Sequence, residues 1–244
     1  MNNVSELIKS HRSIRKYLDK EIEEDILMDI LEAGRWAPSS SHLQAYHVIR
    51  IKDPEKRKVI AAYAGDQKYI ESCKEFVIFC GDLSRIKHVC EEEDVKFDGA
   101  YLELFLIASI DASLVAQNVL TAAESHGLGG VYIGGIRNEI DKVDKLLQLP
   151  DFVVPLFGMC LGYPDQDPIK KPRLPMSIVY SEETYNEIDQ DALDKYNDIV
   201  KSYYITRTKG KLNHNWSEYT SERLDGESRP HMLSYLKSKG FAIK

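Results

Sequence analysis

The stretch GAYLELFLIASIDASLVAQNVLTAAESH, residues 99–126, is the longest helical pattern in the chain. Apolar side chains fall nearly all round it, the pattern of a central buried helix rather than of a surface helix with one apolar stripe. Glu103, Asp111, Gln117 and Asn118 interrupt it, which makes it too polar for a membrane span of about 20 apolar residues. Gly127 and Gly129 stop it. A helix this apolar needs cover from several sides, and the two sources are a sheet of the same chain and a second chain.

On the N-terminal side, Ile22, Ile26, Leu27, Ile30 and Leu31 recur with helical spacing over 22–34. Pro38 and Ser39 to Ser41 then read as a loop, and 44–51 as a strand. Asp53-Pro54-Glu55 is a helix start, with an N-cap and a proline at the first helical position. Phe76 to Cys80 suits a buried strand, and the acidic stretch 86–98 a solvated loop or helix face. On the C-terminal side, Val131 to Ile133 and Val153 to Leu161 read as strands, with a helix capped by Asn138 running to Leu147 between them. Pro164, Pro168, Pro172 and Pro175 punctuate a loop. Polar helical pieces follow, then a Lys/Arg/Asn-rich loop near 207–215 and a last helix from about Pro230 to Ser238. This order predicts an α+β fold, a central mixed sheet flanked by helices.

The chain has 244 residues with 32 Lys and Arg against 39 Asp and Glu, a net charge of −7. An acidic chain is a poor non-specific nucleic-acid binder, so any anionic ligand must be held by a local basic cluster. The four cysteines, Cys73, Cys80, Cys90 and Cys160, form no C-x-x-C pair and no zinc spacing. Met1 to Lys9 shows no signal-peptide pattern. These features predict a cytoplasmic protein with no membrane or nucleic-acid partner.

Four clusters carry candidate chemistry. His11-Arg12-Ser13-Ile14-Arg15-Lys16 packs four potential cations and a hydroxyl into six residues, either an anion site or a solvated basic turn. Ser39-Ser40-Ser41-His42-Leu43-Gln44 offers hydroxyls and an amide to a polar ring or ribose; serine runs are also plain loops. Residues 127–135, GLGGVYIGG, hold five glycines in nine residues. They fit neither G-x-G-x-x-G, since Tyr132 stands at the last glycine, nor the P-loop. They leave a backbone that approaches a ligand closely, or a strand between tight turns. Lys170-Lys171-Pro172-Arg173 is a proline-stiffened phosphate clamp or a surface loop. No G-x-S-x-G, no H-E-x-x-H and no metal-ligand spacing among the seven histidines is present. With no acid, base or nucleophile set, a cofactor would supply the chemistry.

Taken together and in this order, the clusters resemble the oxygen-insensitive NAD(P)H nitroreductase / FMN reductase family, in its NADPH-preferring nitroreductase A and flavin reductase P branch. The matching stretches are HRSIRKY (11–17), APSSSHLQAY (37–46), GDQKY (65–69), AQNVLTAAESHGLGGVYIGGIRN (116–138), GMCLGYP (158–164), KKPRLP (170–175), YYITR (203–207) and SRPHMLSYLKSKGF (228–241). The resemblance implies an obligate homodimer with one FMN in each of two interface sites, which would cover the helix 99–126. It implies an FMN-binding core over 1–175 and an extension over 176–244 that completes the same domain and carries the nicotinamide loop.

By position in that family, His11, Arg12 and Ser13 would hold the FMN phosphate with Lys171 and Arg173. Arg15 would lie near flavin N1 and O2, where negative charge develops on reduction. Ser39, Ser41, Gln67 and Tyr69 would contact the ribityl chain or ring. Tyr132, Ile133, Gly134 and Gly135 would run along the isoalloxazine. The implied activity is ping-pong: NAD(P)H delivers hydride and leaves, and a nitroaromatic, quinone or free flavin takes two electrons in the same place. The alternatives are a flavin reductase or oxidase whose acceptor is free flavin or oxygen, and an FMN-binding module without turnover. Arg207 matches the first arginine of the loop that reads the NADPH 2′-phosphate, with Lys209 and Lys211 as point charges. Leu212 and Asn213 stand where the family has arginines, so a weaker preference for NADPH over NADH is expected.

Overall fold

A computed structural model describes residues 4–241; Met1 to Asn3 of the stretch read for a signal peptide lie outside them. The chain divides into two compact units, one of residues up to 167 together with 229 onward, the other of residues 168–228.

In the first unit the elements are α1 (Val4–Lys9), α2 (Glu24–Arg35), β1 (Tyr46–Arg50), α3 (Pro54–Tyr63), α4 (Tyr69–Ser72), β2 (Glu75–Asp82), α5 (Ser84–Glu92), α6 (Leu102–Ser125), β3 (Gly129–Ile133), α7 (Ile140–Leu147) and β4 (Val153–Gly162). The sheet runs β1-β2-β4-β3. Every pairing is antiparallel, so the expected mixed sheet is corrected. Alternating strands and helices do not fix strand direction, because a helical connection can return the chain to either end of the sheet. β2 is buried at every position. Phe76, Ile78 and Cys80 enter one core with Ile60, Ile133 and Cys160, while Val77 and Phe79 enter another with Leu27, Val119 and Met159. That two-sided burial is why 76–80 reads as a continuous apolar run. The register of β2 on β4 slips between Phe79 and Cys80, opposite Phe157 and Pro155, which leaves Leu156 as the extra residue of a bulge. Pro155 fits there because a bulge tolerates a missing N–H.

α6 buries one face, through Ala108, Ala112, Val115, Ala116, Val119, Leu120 and Ala123. Against it, Gly34 of α2 sits so close that a Cβ there would lie 2.4 Å from Val119. Among the described residues the other face is not covered. Leu102, Leu106, Ile110 and Leu114, four residues apart, stand 38–54% exposed as a stripe. Of the two sources of cover the sequence allows, the chain itself thus supplies one side of the helix. By length and composition alone α6 is apolar enough to cross a membrane, a test that the core helix of a soluble protein also passes.

Two local readings are corrected as well. Asn138 does not cap α7; Glu139 takes that place, and the Asn138 Oδ1 instead accepts from the Arg229 guanidinium at 2.9 and 3.0 Å. Gly129 does not stop α6 but opens β3, and the stop is Gly127 at φ +76°. Asp53 caps α3 as read, its side chain accepting from the Glu55 N–H. The second unit holds α8 (Met176–Val179), α9 (Gln190–Thr208) and α10 (Trp216–Leu224), and α9 buries Tyr196, Val200 and Tyr204 against Leu174 and Trp216. The chain then re-enters the first unit with α11 (Met232–Ser238). There Tyr235 donates to the Asp144 carboxylate at 2.6 Å and Lys239 pairs with it at 3.0 Å.

Candidate active site

The basic segment 11–17 lies along β3. The Ile14 N–H donates to the Gly130 carbonyl at 3.0 Å. Ile14 is buried, and a Cβ on Gly129 would lie 2.4 Å from it. Tyr17 forms a bridge with Pro164 and donates to the Ile14 carbonyl at 2.6 Å. These two apolar pins hold the segment while Arg12, Arg15 and Lys16 stay exposed. Arg12 meets the exposed carboxylate of Asp167, at 3.2 Å, a surface pair that holds its guanidinium weakly. The Ser13 carbonyl accepts from Gln166 at 3.4 Å. His11 is fixed through Nδ1, 2.5 Å from Glu124 on the last turn of α6.

Beside it lies the glycine turn. Arg15 stands 5.9 Å from the centre of the Tyr69 ring. The Tyr69 hydroxyl donates to Gln67 Oε1, and Gln67 Nε2 donates to the Ala64 carbonyl at 2.7 Å. A Cβ on Gly135 would lie 2.4 Å from that carbonyl and from Gln67 Nε2, so only glycine fits. Ile133 is fully buried. Gly134 differs from its neighbour: a Cβ there would meet only the Arg137 guanidinium, at 3.3 Å. It borders a cavity of about 380 Å³ lined also by Ser113, Gln117, Tyr132, Arg137 and Phe157. Tyr132 and Phe157 stack edge to face, with ring centres 5.5 Å apart. Burial, and then Glu124, push the Tyr132 phenol up, so it keeps its proton and donates to Gln117 Oε1 at 3.3 Å. Burial, and then Arg229, lower Arg137 from its ordinary value. Its guanidinium donates to the Leu156 carbonyl at the bulge.

The serine loop is built elsewhere. Asp111, on α6 and 1% exposed, accepts from Ser39 Oγ at 2.9 Å, the Ser40 N–H at 3.1 Å and the Ala45 N–H at 3.0 Å. Ser39 Oγ in turn accepts from the Gln44 N–H at 2.6 Å. Ser41, His42 and Gln44 take φ of 48°, 60° and 52°, a left-handed conformation that costs an L-residue about 1–2 kcal/mol. Asp111 and Glu124 are thirteen residues apart on α6, about 20 Å along its axis. So one chain gathers His11, Arg12, Ser13, Arg15, Gln67, Tyr69 and the 132–135 turn, but does not bring Ser39 and Ser41 to the basic segment.

In the second unit, Arg173 Nη1 donates to the Lys171 carbonyl at 2.9 Å. The Lys171 ammonium lies 5.8 Å from the Tyr204 ring centre. Arg207 is not in a loop, as the sequence suggested, but on the last turn of α9, where it donates to the Tyr203 hydroxyl at 3.3 Å. The apolar spacing of 196, 200 and 204 carries the helix that far, and Lys209 and Gly210, at φ 54° and 82°, end it. Lys209 and Lys211 are exposed.

Asp111, Glu124, Gln117, Arg137 and Phe157 are the residues sequence reasoning missed. An acid inside an otherwise apolar helix face is the one local signal, and it belongs to Asp111. The Glu124–His11 contact spans 113 positions and leaves no local trace. Among the described residues no His/Cys/Asp/Glu group is arranged to hold a metal.

Fold and site together define an α+β protein with an exposed cationic segment beside a glycine turn and an aromatic-walled cavity. The chain belongs to the nitroreductase family: residues 8–163 match the Nitroreductase family and residues 171–244 its C-terminal domain. It is 48% identical over 242 residues to an NADPH-flavin oxidoreductase of Vibrio harveyi, covering 99% of both chains. It is 40% identical to an oxygen-insensitive NADPH nitroreductase of Salmonella typhimurium, covering 100% of both. Among solved structures, nitroreductase A of Vibrio parahaemolyticus superposes with a TM-score of 0.94 at 44% identity over 100% of both chains. The NADPH:FMN oxidoreductase of Vibrio harveyi complexed with NAD+ superposes with a TM-score of 0.92, at 44% identity over 100% of both.

Proposed function

We infer that this chain is an FMN-dependent NAD(P)H oxidoreductase that reduces flavins and nitro compounds, the acceptors in its relatives' names. The observation that carries the reading is the juxtaposition of the 11–15 segment, Gln67–Tyr69 and the 132–135 turn, pinned by the Ile14–Gly130 hydrogen bond. These residues fit FMN. Forked cations and a hydroxyl suit a phosphate, and the cavity beside Gly134 has the size and apolar wall of a small-molecule site. FMN, when bound, supplies the two-electron chemistry.

In this reading His11, Arg12 and Ser13 bind the phosphate, a role Lys171 and Arg173 share by family position. Arg15 holds positive charge where the reduced flavin is anionic. Gly134 and Gly135 let the backbone approach the ring. Arg207, with Lys209 and Lys211, receives the 2′-phosphate of NADPH, and donor and acceptor occupy one place in turn. The chain works as a homodimer in the cytoplasm, with the core over 1–175 and the extension over 176–244 as one functional unit. Two observations support the dimer: the exposed stripe Leu102, Leu106, Ile110 and Leu114, and a serine loop anchored about 20 Å along α6 from the Glu124–His11 pair. A second copy would bring its Ser39 and Ser41 to this cofactor.

The test is a visible absorption spectrum of purified protein before and after anaerobic NADPH, then NADH. Flavin bands that bleach with nucleotide are expected, faster with NADPH by a modest factor. A protein that stays colourless after incubation with FMN would refute the assignment.

A further inference from the structure

We propose that Asp111 is a positioning residue for the serine loop, and that it divides the labour of Ser39 and Ser41: Ser39 is an internal strut, and of these two only Ser41 offers a hydroxyl proton to the cofactor. The proposal rests on the reading that this loop meets FMN.

The argument is a proton count. A serine hydroxyl has one proton to donate and two lone pairs. The Ser39 proton is given to Asp111 Oδ2, and one lone pair takes the Gln44 N–H. What remains on Ser39 is a single acceptor site. The Ser40 N–H is also spent on Asp111. The Ser41 hydroxyl is exposed and makes no hydrogen bond among the described residues. Of the hydroxyls of Ser39 and Ser41, a ribityl hydroxyl or ring oxygen that needs a donor must take it from Ser41.

The backbone is left-handed at 41, 42 and 44, and the loop's own hydrogen bonds, from the His42 N–H to the Ser39 carbonyl at 3.3 Å and from the Leu43 N–H to the Ser40 carbonyl at 3.0 Å, close the turn without tying it to the rest of the fold. Asp111 supplies that tie. Its two oxygens take donors from 39, 40 and 45, clamping both ends of the bend to one buried point on α6. A carboxylate suits the place because it only accepts, and all three partners donate.

The test uses the full-length protein in two arms. In the apoprotein, Ser39→Ala and Asp111→Asn are each expected to lower Tm by several degrees. The double variant should lose clearly less than the two added together, and Ser39→Thr, which keeps the hydroxyl, should restore most of the loss. Ser41→Ala should leave the apoprotein Tm unchanged. In the FMN arm, followed by flavin fluorescence, Ser41→Ala should weaken binding about tenfold, the scale of one hydrogen bond. It should weaken binding little further when added to Asp111→Asn, because the displaced loop has already lost that contact. An Asp111 that merely stabilised the fold would leave the effect of Ser41→Ala intact. Additive Tm losses for 39 and 111, or a full tenfold effect of Ser41→Ala on the Asp111→Asn background, would overturn the positioning role. Intact 39–111 coupling with no effect of Ser41→Ala on FMN would overturn the donor assignment and the reading of the loop as a cofactor contact.

Discussion

The serine loop and the glycine turn solve one problem, a backbone bent into an unusual path beside α6, by opposite means. At 127–135 side chains are removed. Gly127 takes φ +76° with nothing near its missing Cβ, and Gly135 lets the turn pack so close to Ala64 that a Cβ there would lie 2.4 Å from its carbonyl oxygen. At 39–45 three residues with side chains are held left-handed by Asp111, which lies 66–72 positions away. A path written in glycine is available to the chain before it folds. A path held by a distant carboxylate exists only once α6 is in place. The first is therefore local and intrinsic, the second conditional on tertiary structure.

The comparison breaks most visibly at its distant anchor. Asp111→Ala leaves three donors without their acceptor, two of them backbone N–H groups, and each orphaned buried group costs about 1–3 kcal/mol. We expect a loss of about 3–5 kcal/mol in urea unfolding of the apoprotein, with the far-UV spectrum retained. A loss below about 1 kcal/mol would mean that the loop holds its own shape. Gly135→Ala comes next. Its φ is ordinary, so the cost is space alone: a new methyl against a backbone carbonyl, which cannot swing away. Overpacking of this kind costs about 1–3 kcal/mol, read from the same unfolding curves.

The difference between the two regions also explains what could be read in the sequence. The glycine turn, the Asp53 cap, the buried run of β2 and the extent of α6 were legible because their causes are local: missing side chains, a capping oxygen, a period. The candidate cofactor residues came from the family resemblance; the structure brings residues 11–15, Gln67, Tyr69 and 132–135 together. Strand direction was not legible, since a strand's own pattern is the same whichever way its neighbour runs. Nor was the exchange of Asn138 for Glu139 ahead of α7, because Arg229, 91 positions away, takes the asparagine oxygen. Asp111 looked like an interruption of an apolar helix, and only folding turned it into a ligand for three donors. Which face of α6 stays open in one chain was not legible, because an apolar residue reads alike whether its cover comes from its own sheet or from another copy.

A smaller effect sharpens the contrast from the other side. Gln44 is exposed at φ 52°. If Asp111 imposes the bend on residues that resist it, Gln44→Gly removes part of the resistance. Glycine adopts this region freely, at the cost of a more flexible unfolded chain. The balance is a stabilisation of about 0.5–1 kcal/mol, measured as a raised urea midpoint. A lowered midpoint would show that the loop carries no strain at this position.

The smallest expected change in stability is the most informative about function. Gly134 and Gly135 are adjacent and identical in type, yet a Cβ at 135 meets backbone at 2.4 Å while one at 134 meets only the end of the Arg137 side chain at 3.3 Å. Folding therefore has no use for glycine at 134, since Arg137 can give way by a few tenths of an ångström. If the glycine is needed, the cause lies outside the chain, in what must approach the backbone from the cavity. Gly134→Ala should shift apoprotein stability by less than about 0.5 kcal/mol, as for a surface substitution, while weakening FMN binding measured by fluorescence titration. Gly135→Ala should do the reverse in proportion, losing stability first and cofactor as a consequence. If Gly134→Ala binds FMN as tightly as the parent, the backbone at 134 is not the flavin's neighbour. The glycines would then serve the turn alone, and the cofactor would have to be placed against the basic segment and Tyr69 without them.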